Sequence, residues 1–555
     1  MVTPGWLERL RAAVHAAPDI GTATPLSNDA TIMSYPDPAL PAAAPSGAAL
    51  ATLARLAGRT LGGVAVDLPT AIGFCMYIRR ECLRETGLFR ADLFAQGYGE
   101  ENDFCLRARH LGWRHVGVPG AYVAHQGGRS FGAAKAPLLA RNLAVLEQLH
   151  PGYHTLVMAF QRADPLAGPR RLLDIARWKA GRAKSGAKAG AVLLVSHDSG
   201  GGVERVLRER VAALRAEGRR AVVLRPVLAR HGEAGDLRYL PGLCVLGDGA
   251  DGGFPNLRFR LPQESDALAR LLRADRPTAL EVHHLLGHNH AVVDLAARLG
   301  IPADFHVHDY AAFCPRITLV GVGGRYCGEP AAAEICDACV ADCGAAIEEK
   351  IGVAALRARS AQDFATARRI VVPSQDAAIR LGRHFPALTP EVVPLESDDR
   401  LPRLVIQPPR PRRVVCVIGA VGQVKGYDVL LECARDAAWR DLPLSFALAG
   451  HTPDDDRLLE TGRVAITGPY RDAEAESLVR GLKADLAWLP SIWPETWCYT
   501  LGIAWRAGLR VAAFDLGAPA ERIRRTGRGW LLPLGLPAAA INNALLAVNL
   551  AAGDV

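Results

Sequence analysis

The chain has 555 residues, half of them apolar and 22% charged, with a formal charge of +8. That length exceeds one hydrophobic core and implies roughly three or four globular domains. No run of about 18 uncharged apolar residues occurs, which excludes a helical membrane span, and no basic–aromatic pattern of a nucleic-acid module is present.

The first residues, MVTPGWLERLRAAV, carry Glu8 and no continuous apolar core, so no signal peptide is read there. The twelve cysteines include seven scattered singly, most in apolar runs as buried thiols are. A secreted disulfide protein would be smaller and denser in cysteine, so a cytoplasmic setting is expected.

Residues 1–165 read as one unit. VDLPTAIGFCMYIRR is a strand-like run leading to a short helix near Glu81. Glu101 to His110 is predicted helical, WRHVGV a strand, and Ala134 to Leu149 helical again. Residues 166–190 are expected as a linker, with Arg170, Arg171, Arg177, Lys179, Arg182, Lys184 and Lys188 set against Asp174 alone. Two readings stand for it: a solvated connector, or a peripheral contact with anionic inner-membrane lipid. Each basic residue would add about 1 kcal/mol to such a contact, and Trp178 would assist.

From Ala191 the pattern changes. AVLLVS is a buried strand, SGGG a turn, and VERVLRERVAALRAEG a helix whose Val203, Val206, Leu207, Val211 and Leu214 follow the helical period. The alternation continues through RAVVLRPV, ALEVHH, ADFHVHD and RRIVVPS, which predicts a doubly wound parallel sheet over residues 191–400. A Pro/Arg-rich hinge, RLPRLVIQPPRPRR, then leads to a second such sheet over 412–548, through VVCVIGA, LSFALAG and DLAWLP.

Two stretches carry family resemblances. GYGEENDFCLRARHLGWRHVGVPGAYVAHQGG, Gly97 to Gly128, resembles the acceptor half of a family 2 glycosyltransferase of GT-A fold. The resemblance implies that Glu101 is the base that deprotonates an acceptor hydroxyl, with Asp103 and Arg107 beside it. Taken without the resemblance, acids at a helix start are also what a solvated N-terminus favours. His125 is implied as a ligand for Mn or Mg on a nucleotide diphosphate, with Gly127 and Gly128 allowing close approach. TPLSNDATIMSYP, Thr24 to Pro36, resembles a segment of transferases that build O-antigen-type glycans. VTPGWLERL resembles the phrase that follows that family's Asp-x-Asp motif, yet here it starts at Val2. The expectation is a partial GT-A domain without its donor half, from a misplaced start or a truncation, unable to transfer sugar alone.

SIWPETWCYTLGIAWRAGLRVAAFDLGAPAERI, Ser491 to Ile523, resembles the donor domain of a family 4 glycosyltransferase of GT-B fold. The implied fold is a partial GT-A domain followed by a GT-B pair of Rossmann-like α/β domains. The resemblance implies that Lys425 and Gly419, in GAVGQVKGYDVLL, meet the donor diphosphate, where Ala420 and Val421 stand in place of the family's Arg. It implies that Glu495 reads the donor sugar and that Thr500 caps a phosphate. Ile503 stands where the family's ribose-binding Glu belongs. Gly201 and Gly202 are implied to admit the diphosphate and acceptor, and His308 to face the leaving phosphate, with His306 as a competitor. This module is expected to need no cofactor.

Between Cys314 and Cys343, Cys336, Cys339 and Cys343 fall at C-x2-C-x3-C with Cys327 upstream. Four thiolates suffice for a structural zinc in this insertion, and free loop thiols are the alternative. The implied function is a bifunctional transferase that moves sugar from a nucleotide-sugar donor to a glycan or lipid-linked acceptor. The alternative is a degenerate protein that only binds glycan or a partner enzyme.

Overall fold

The computed structural model describes the chain except for residues 95–97, 127–134, 186–189, 232–235, 409 and 549–555. It divides into two units. The first is Met1–Ala189 with Gly218–Val223 and Cys244–Arg260; the second is Gly190–Glu217, Leu224–Leu243 and Leu261–Val555. Two short segments beyond Gly190 thus join the first unit, where the sequence placed a boundary before 191.

In the first unit, β1 (Ile20–Leu26), β2 (Val66–Leu68), β3 (Tyr77–Ile78) and β4 (Arg114–Tyr122) form a mixed sheet in the order β2-β4-β1-β3. β1 and β4 pair in parallel, with Thr22 opposite His115. Every residue of β1 is buried, and all of β4 except Arg114. Such strands have both faces covered. Leu10 and Val14 of the helix Trp6–Val14 pack with Ala23, Val116 and Val118, while Leu50, Ala54 and Leu61 of the helix Gly47–Leu61 pack with Leu26 and Met33.

The expected linker is instead a helix, Ala167–Ser185. Arg170, Leu173, Asp174 and Trp178 are buried and recur every three or four residues, so one face is core. The Arg220 guanidinium lies 4.0 Å from the Trp178 ring centroid, and Phe254 meets that ring edge-on at 5.1 Å. Asp174 accepts from Arg177 at 3.0 Å, from Asn256 at 2.9 and 3.1 Å, and from the Tyr35 hydroxyl. The basic composition concealed this period, and Trp178 is fully enclosed, which removes it as a membrane anchor.

Further along the chain come β5 (Ala191–Val195), β6 (Arg220–His231), β7 (Asp236–Asp248), β8 (Arg258–Arg260), β9 (Pro277–Val282), β10 (Ala303–His306), β11 (Arg369–Val372) and β12 (Glu391–Val392). In the second unit β12-β11-β10-β9-β5 run in parallel, as the strand–helix alternation predicts. Side chains alternate across a strand, so Leu280, Val282, Ala303 and Phe305 form an apolar face. Glu281 and Asp304, which are register partners, take the other face, followed by His283 and His306.

The second sheet of this unit is β13 (Arg413–Ala420), β14 (Leu444–His451), β15 (Val464–Ile466), β16 (Leu486–Leu489), β17 (Val511–Phe514) and β18 (Gly529–Leu532). All pair in parallel, in the order β15-β14-β13-β16-β17-β18. Counted within the sheet this is the Rossmann order 3-2-1-4-5-6. Val415 and Val417 of β13 pack on one side with Leu430, Leu431 and Trp488, while Cys416 and Ile418 pack on the other with Ala449 and Trp505.

Candidate functional site

The strand order of the second sheet reverses between β13 and β16. At such a reversal the loops that follow the two strands ordinarily leave a crevice at the carboxyl ends, the place where such sheets take ligands. Gly419, the last residue but one of β13, takes φ +107°, and a Cβ on it would lie 3.2 Å from Thr500 Cγ2. Gly426, at φ +88°, has no room for a Cβ, which would come within 2.1 Å of the Pro490 carbonyl oxygen. The two loops are joined where Ile492 N–H donates to Val424 O at 3.0 Å.

Into this crevice the structure brings Lys425, Glu495 and Thr500. Glu495 is 7% exposed. Its charge raises the pKa of Lys425 above the ordinary lysine value, against the opposing effect of burial. Cys498 takes a left-handed conformation at φ +75° just before the helix Tyr499–Arg506, and its Sγ lies 3.2 Å from Thr500 Oγ1. The first N–H groups of that helix have no intrahelical acceptor, which suits them to an anion. A fixed cation, a helix start and a glycine turn together can hold a diphosphate.

His308 follows β10, and the chain ties it to this crevice. Thr496 Oγ1 donates to His308 O at 2.5 Å, and the Tyr310 hydroxyl donates to Pro494 O at 2.7 Å. His308 Nε2 is 3.1 Å from His283 Nδ1. Burial, then the neighbouring imidazoles, hold the His308 pKa well below the usual value. The same causes take His306 to about 3. Both rings are therefore neutral at physiological pH. Asp309 accepts from His284 Nε2 at 2.6 Å. These histidines line a cavity of about 320 Å3.

Gly201 opens the helix Gly201–Ala216 at φ +75°, and a Cβ on Gly202 would lie 3.4 Å from the Tyr499 ring. Arg205, one turn on, stands 4.1 Å from the centroid of that ring and donates to Glu396 Oε1 at 3.0 Å.

Three residues differ from expectation here. Ile503 is 7% exposed and packs with Cys416, Ile418 and Leu501, so the position implied for ribose contact faces the core. Sequence reasoning missed Glu396, whose Oε1 also accepts from Arg506 at 3.1 Å. Its Oε2 is buried without a hydrogen-bond partner and would lie 2.6 Å from a Cβ on Gly502. Arg522 was missed as well. It is fully buried, pairs with Asp398 at 2.6 and 3.0 Å, and donates to Cys498 O at 2.9 Å, which holds the left-handed turn. Glu396 lies outside any quoted motif and reads as a surface carboxylate; Arg522 lies within the stretch Ser491–Ile523 but reads there as an ordinary helix arginine.

In the first unit Glu101 lies in the first turn of the helix Glu100–His110. It accepts from Gly99 N–H at 3.3 Å. Burial, then Glu100, raise its pKa, which suits a proton acceptor. Asp103 is not placed for chemistry. It is fully buried and accepts from Arg90 Nε, Arg107 Nε and His150 Nε2 at 2.9, 2.9 and 2.8 Å. Burial alone would raise its pKa, but these partners hold it at about 2. Its role is to join Arg90, Arg107 and His150 beneath the helix.

His125 Nδ1 is engaged with Asp29 O at 2.9 Å, and its ring packs on Phe74. Among the described residues no group of three or more potential ligands includes it. Its Nε2 is the ring atom that would hold the implied Mn or Mg, since a ligating imidazole commonly engages its other nitrogen with a backbone carbonyl. Gly97, Gly127 and Gly128 lie outside the described residues.

Among the described residues the four cysteine sulfurs do not gather into one ligand group. Cys336, Cys339 and Cys343 lie along one face of the helix Ala333–Cys343, Cys339 stands near Cys343 and Cys327, and Cys336 Sγ accepts from Arg357 at 3.3 Å. Cys327 is exposed on the preceding loop. The one group of ligand atoms within 4.8 Å of one another among the described residues is Glu281, His283 and His306.

Residues 412–548 match the model of the family Glycosyl transferases group 1. No curated protein matches the chain. Among solved structures, the chain is similar to Alr3699/HepE of Anabaena in complex with UDP and glucose, at 14% identity over 64% of this chain and 89% of that one, TM-score 0.41. It is similar to the sucrose-phosphate synthase of Thermosynechococcus elongatus at 16% identity over 64% and 89%, TM-score 0.41. A glycosyltransferase of Rickettsia africae gives 14% over 65% and 90%, TM-score 0.42. These structural likenesses are too slight to carry an argument. The family match rests on the second sheet of the second unit: residues 412–548 form a glycosyltransferase domain, and the protein is an enzyme of sugar transfer.

Proposed function

We propose that the protein moves a sugar from a nucleotide-sugar donor to a growing glycan or lipid-linked acceptor in the cytoplasm. The observation that carries this is the meeting of Lys425, Glu495, Thr500 and Gly419 at the strand-order reversal of the group 1 domain, tethered to His308 through Thr496. In this reading Lys425 and the start of the helix Tyr499–Arg506 bind the diphosphate, and Glu495 takes hydroxyls of the donor sugar. His308, neutral and hydrogen-bonded to His283, donates to or accepts from the leaving phosphate at the opposite wall. Gly201 and Gly202 leave the acceptor side open. We read residues 1–165 as the acceptor part of a second transferase of family 2 type, with Glu101 as its base, which would make the chain bifunctional in surface-polysaccharide assembly.

A non-catalytic, glycan-binding role is the second reading, and Ile503 favours it, because an alkyl group in the core supplies no ribose contact. Release of nucleoside diphosphate from a panel of UDP-, GDP- and dTDP-sugars, with oligosaccharide and lipid-linked acceptors, separates the two. Sugar transfer that Glu495→Ala abolishes supports the enzyme; glycan binding without turnover on any donor supports the second reading.

A further inference from the structure

β9 and β10 lie in the interior of a parallel sheet, where both faces are ordinarily apolar. One face here is instead polar, with Glu281 and His283 beside Asp304 and His306. Two parts of this face have evident partners: Glu281 is held by Arg210 at 2.6 to 3.2 Å, and Asp304 by Arg368 at 2.9 Å. His283 does not share that explanation. Its side chain is 1% exposed, and its Nε2 is buried without a hydrogen-bond partner. A buried polar atom left in that state is costly, so the site calls for a ligand.

The geometry identifies its class. His283 Nε2 stands 3.7 Å from Glu281 Oε2, too far for a hydrogen bond. Two donors at about 2.0–2.1 Å from a tetrahedral zinc lie about 3.3 Å apart, so the observed separation is close to that of two ligands on one ion. The His306 ring stacks beside His283 at 4.5 Å between centroids, and one ligand atom from each of Glu281, His283 and His306 lies within 4.8 Å of the other two. The other nitrogen of His283, Nδ1, is bonded to His308 Nε2 at 3.1 Å. A metal-bound imidazole typically spends its second nitrogen in this way.

We propose that Glu281, His283 and His306 bind one divalent transition ion, zinc by the chemistry of a His2Glu set. His283 and His306 also line the 320 Å3 cavity, which gives a fourth ligand room and access. Bound there, the ion fixes the ring of His283 and through it the orientation of His308. Under the function proposed above, His283 is thus a positioning residue for His308. The site is separate from the cysteine helix and uses no thiolate.

The test uses the full chain, purified without an affinity tag, stripped with a chelator and titrated with zinc chloride. The expected result is one equivalent bound, with an X-ray absorption shell of nitrogen and oxygen at about 2.0 Å. Cys327→Ser/Cys339→Ser should leave that equivalent in place. His306→Ala should abolish it, and His308→Ala should weaken it by about 10- to 100-fold, the cost of losing a partner of a ligand. Glu281→Gln keeps the shape of the ion pair with Arg210 and serves if His306→Ala does not fold; it should lower affinity at least about tenfold. Near-ultraviolet circular dichroism checks that each variant is folded. Three results overturn the proposal: no zinc taken up, a sulfur shell at about 2.3 Å, or wild-type affinity in folded His306→Ala or Glu281→Gln.

Discussion

Lys425→Met tests the donor crevice most directly, because it removes one charge while keeping most of the side-chain length. Lys425 faces Glu495, which is 7% exposed and raises the lysine pKa. A hydrogen bond to a charged group contributes about 1.5–3 kcal/mol. Loss of the diphosphate contact should therefore weaken nucleoside diphosphate binding by about 10- to 150-fold, at 1.4 kcal/mol per decade. The same change leaves the Glu495 carboxylate buried without its cation, so the fold should lose stability as well. The double variant Lys425→Met/Glu495→Gln removes that uncompensated charge. It should recover stability but not affinity, since the phosphate still lacks its cation. Isothermal titration with UDP, GDP and dTDP, beside urea unfolding of all three proteins, reads both quantities. Wild-type affinity in Lys425→Met for every nucleotide the parent binds would refute the assignment of this crevice to the donor.

Ile503→Glu should destabilise the protein rather than tighten donor binding: it loses about 2 kcal/mol of apolar burial and adds a carboxylate to a cluster that offers it no partner. A lowered urea midpoint with no gain in nucleotide affinity is the expected outcome. Asp103→Asn should cost about 3–5 kcal/mol, because Arg90, Arg107 and His150 lose the anion they share. With a folded pKa of about 2, below the carboxylate value of 3.8, the stabilisation from Asp103 is present above about pH 4. It is lost as pH falls through about 2, which acid unfolding of wild type against Asp103→Asn measures. Trp178→Ala should cost about 3–5 kcal/mol as a core truncation. It should leave partition onto anionic vesicles unchanged, and a loss of vesicle binding in the folded variant would restore the membrane reading.

What the sequence determined is the part governed by local pattern. Buried runs such as AVLLV and VVCVIG alternate with helices of regular apolar period, and a chain so written closes into parallel sheets because each strand needs both faces covered. The glycines of β13 and its loop, with Lys425 and Glu495, were legible because a phosphate-binding turn and the PETW loop are contiguous in sequence. Tertiary structure alone decided the rest. The basic stretch 166–185 carries its core face at Arg170, Leu173, Asp174 and Trp178, and two of those are charges that Asp164, Arg177, Tyr35 and Asn256 make tolerable in the interior. Asp103 resembles a catalytic acid until Arg90 and His150, distant in sequence, surround it. Glu396 comes from a segment with no motif, and nothing in the helix sequence around Arg522 tells that it holds the Cys498 carbonyl. Glu281, His283 and His306 meet because β9 and β10 are neighbours in one register, and the distance between their donor atoms belongs to that register, not to the spacing of the residues along the chain.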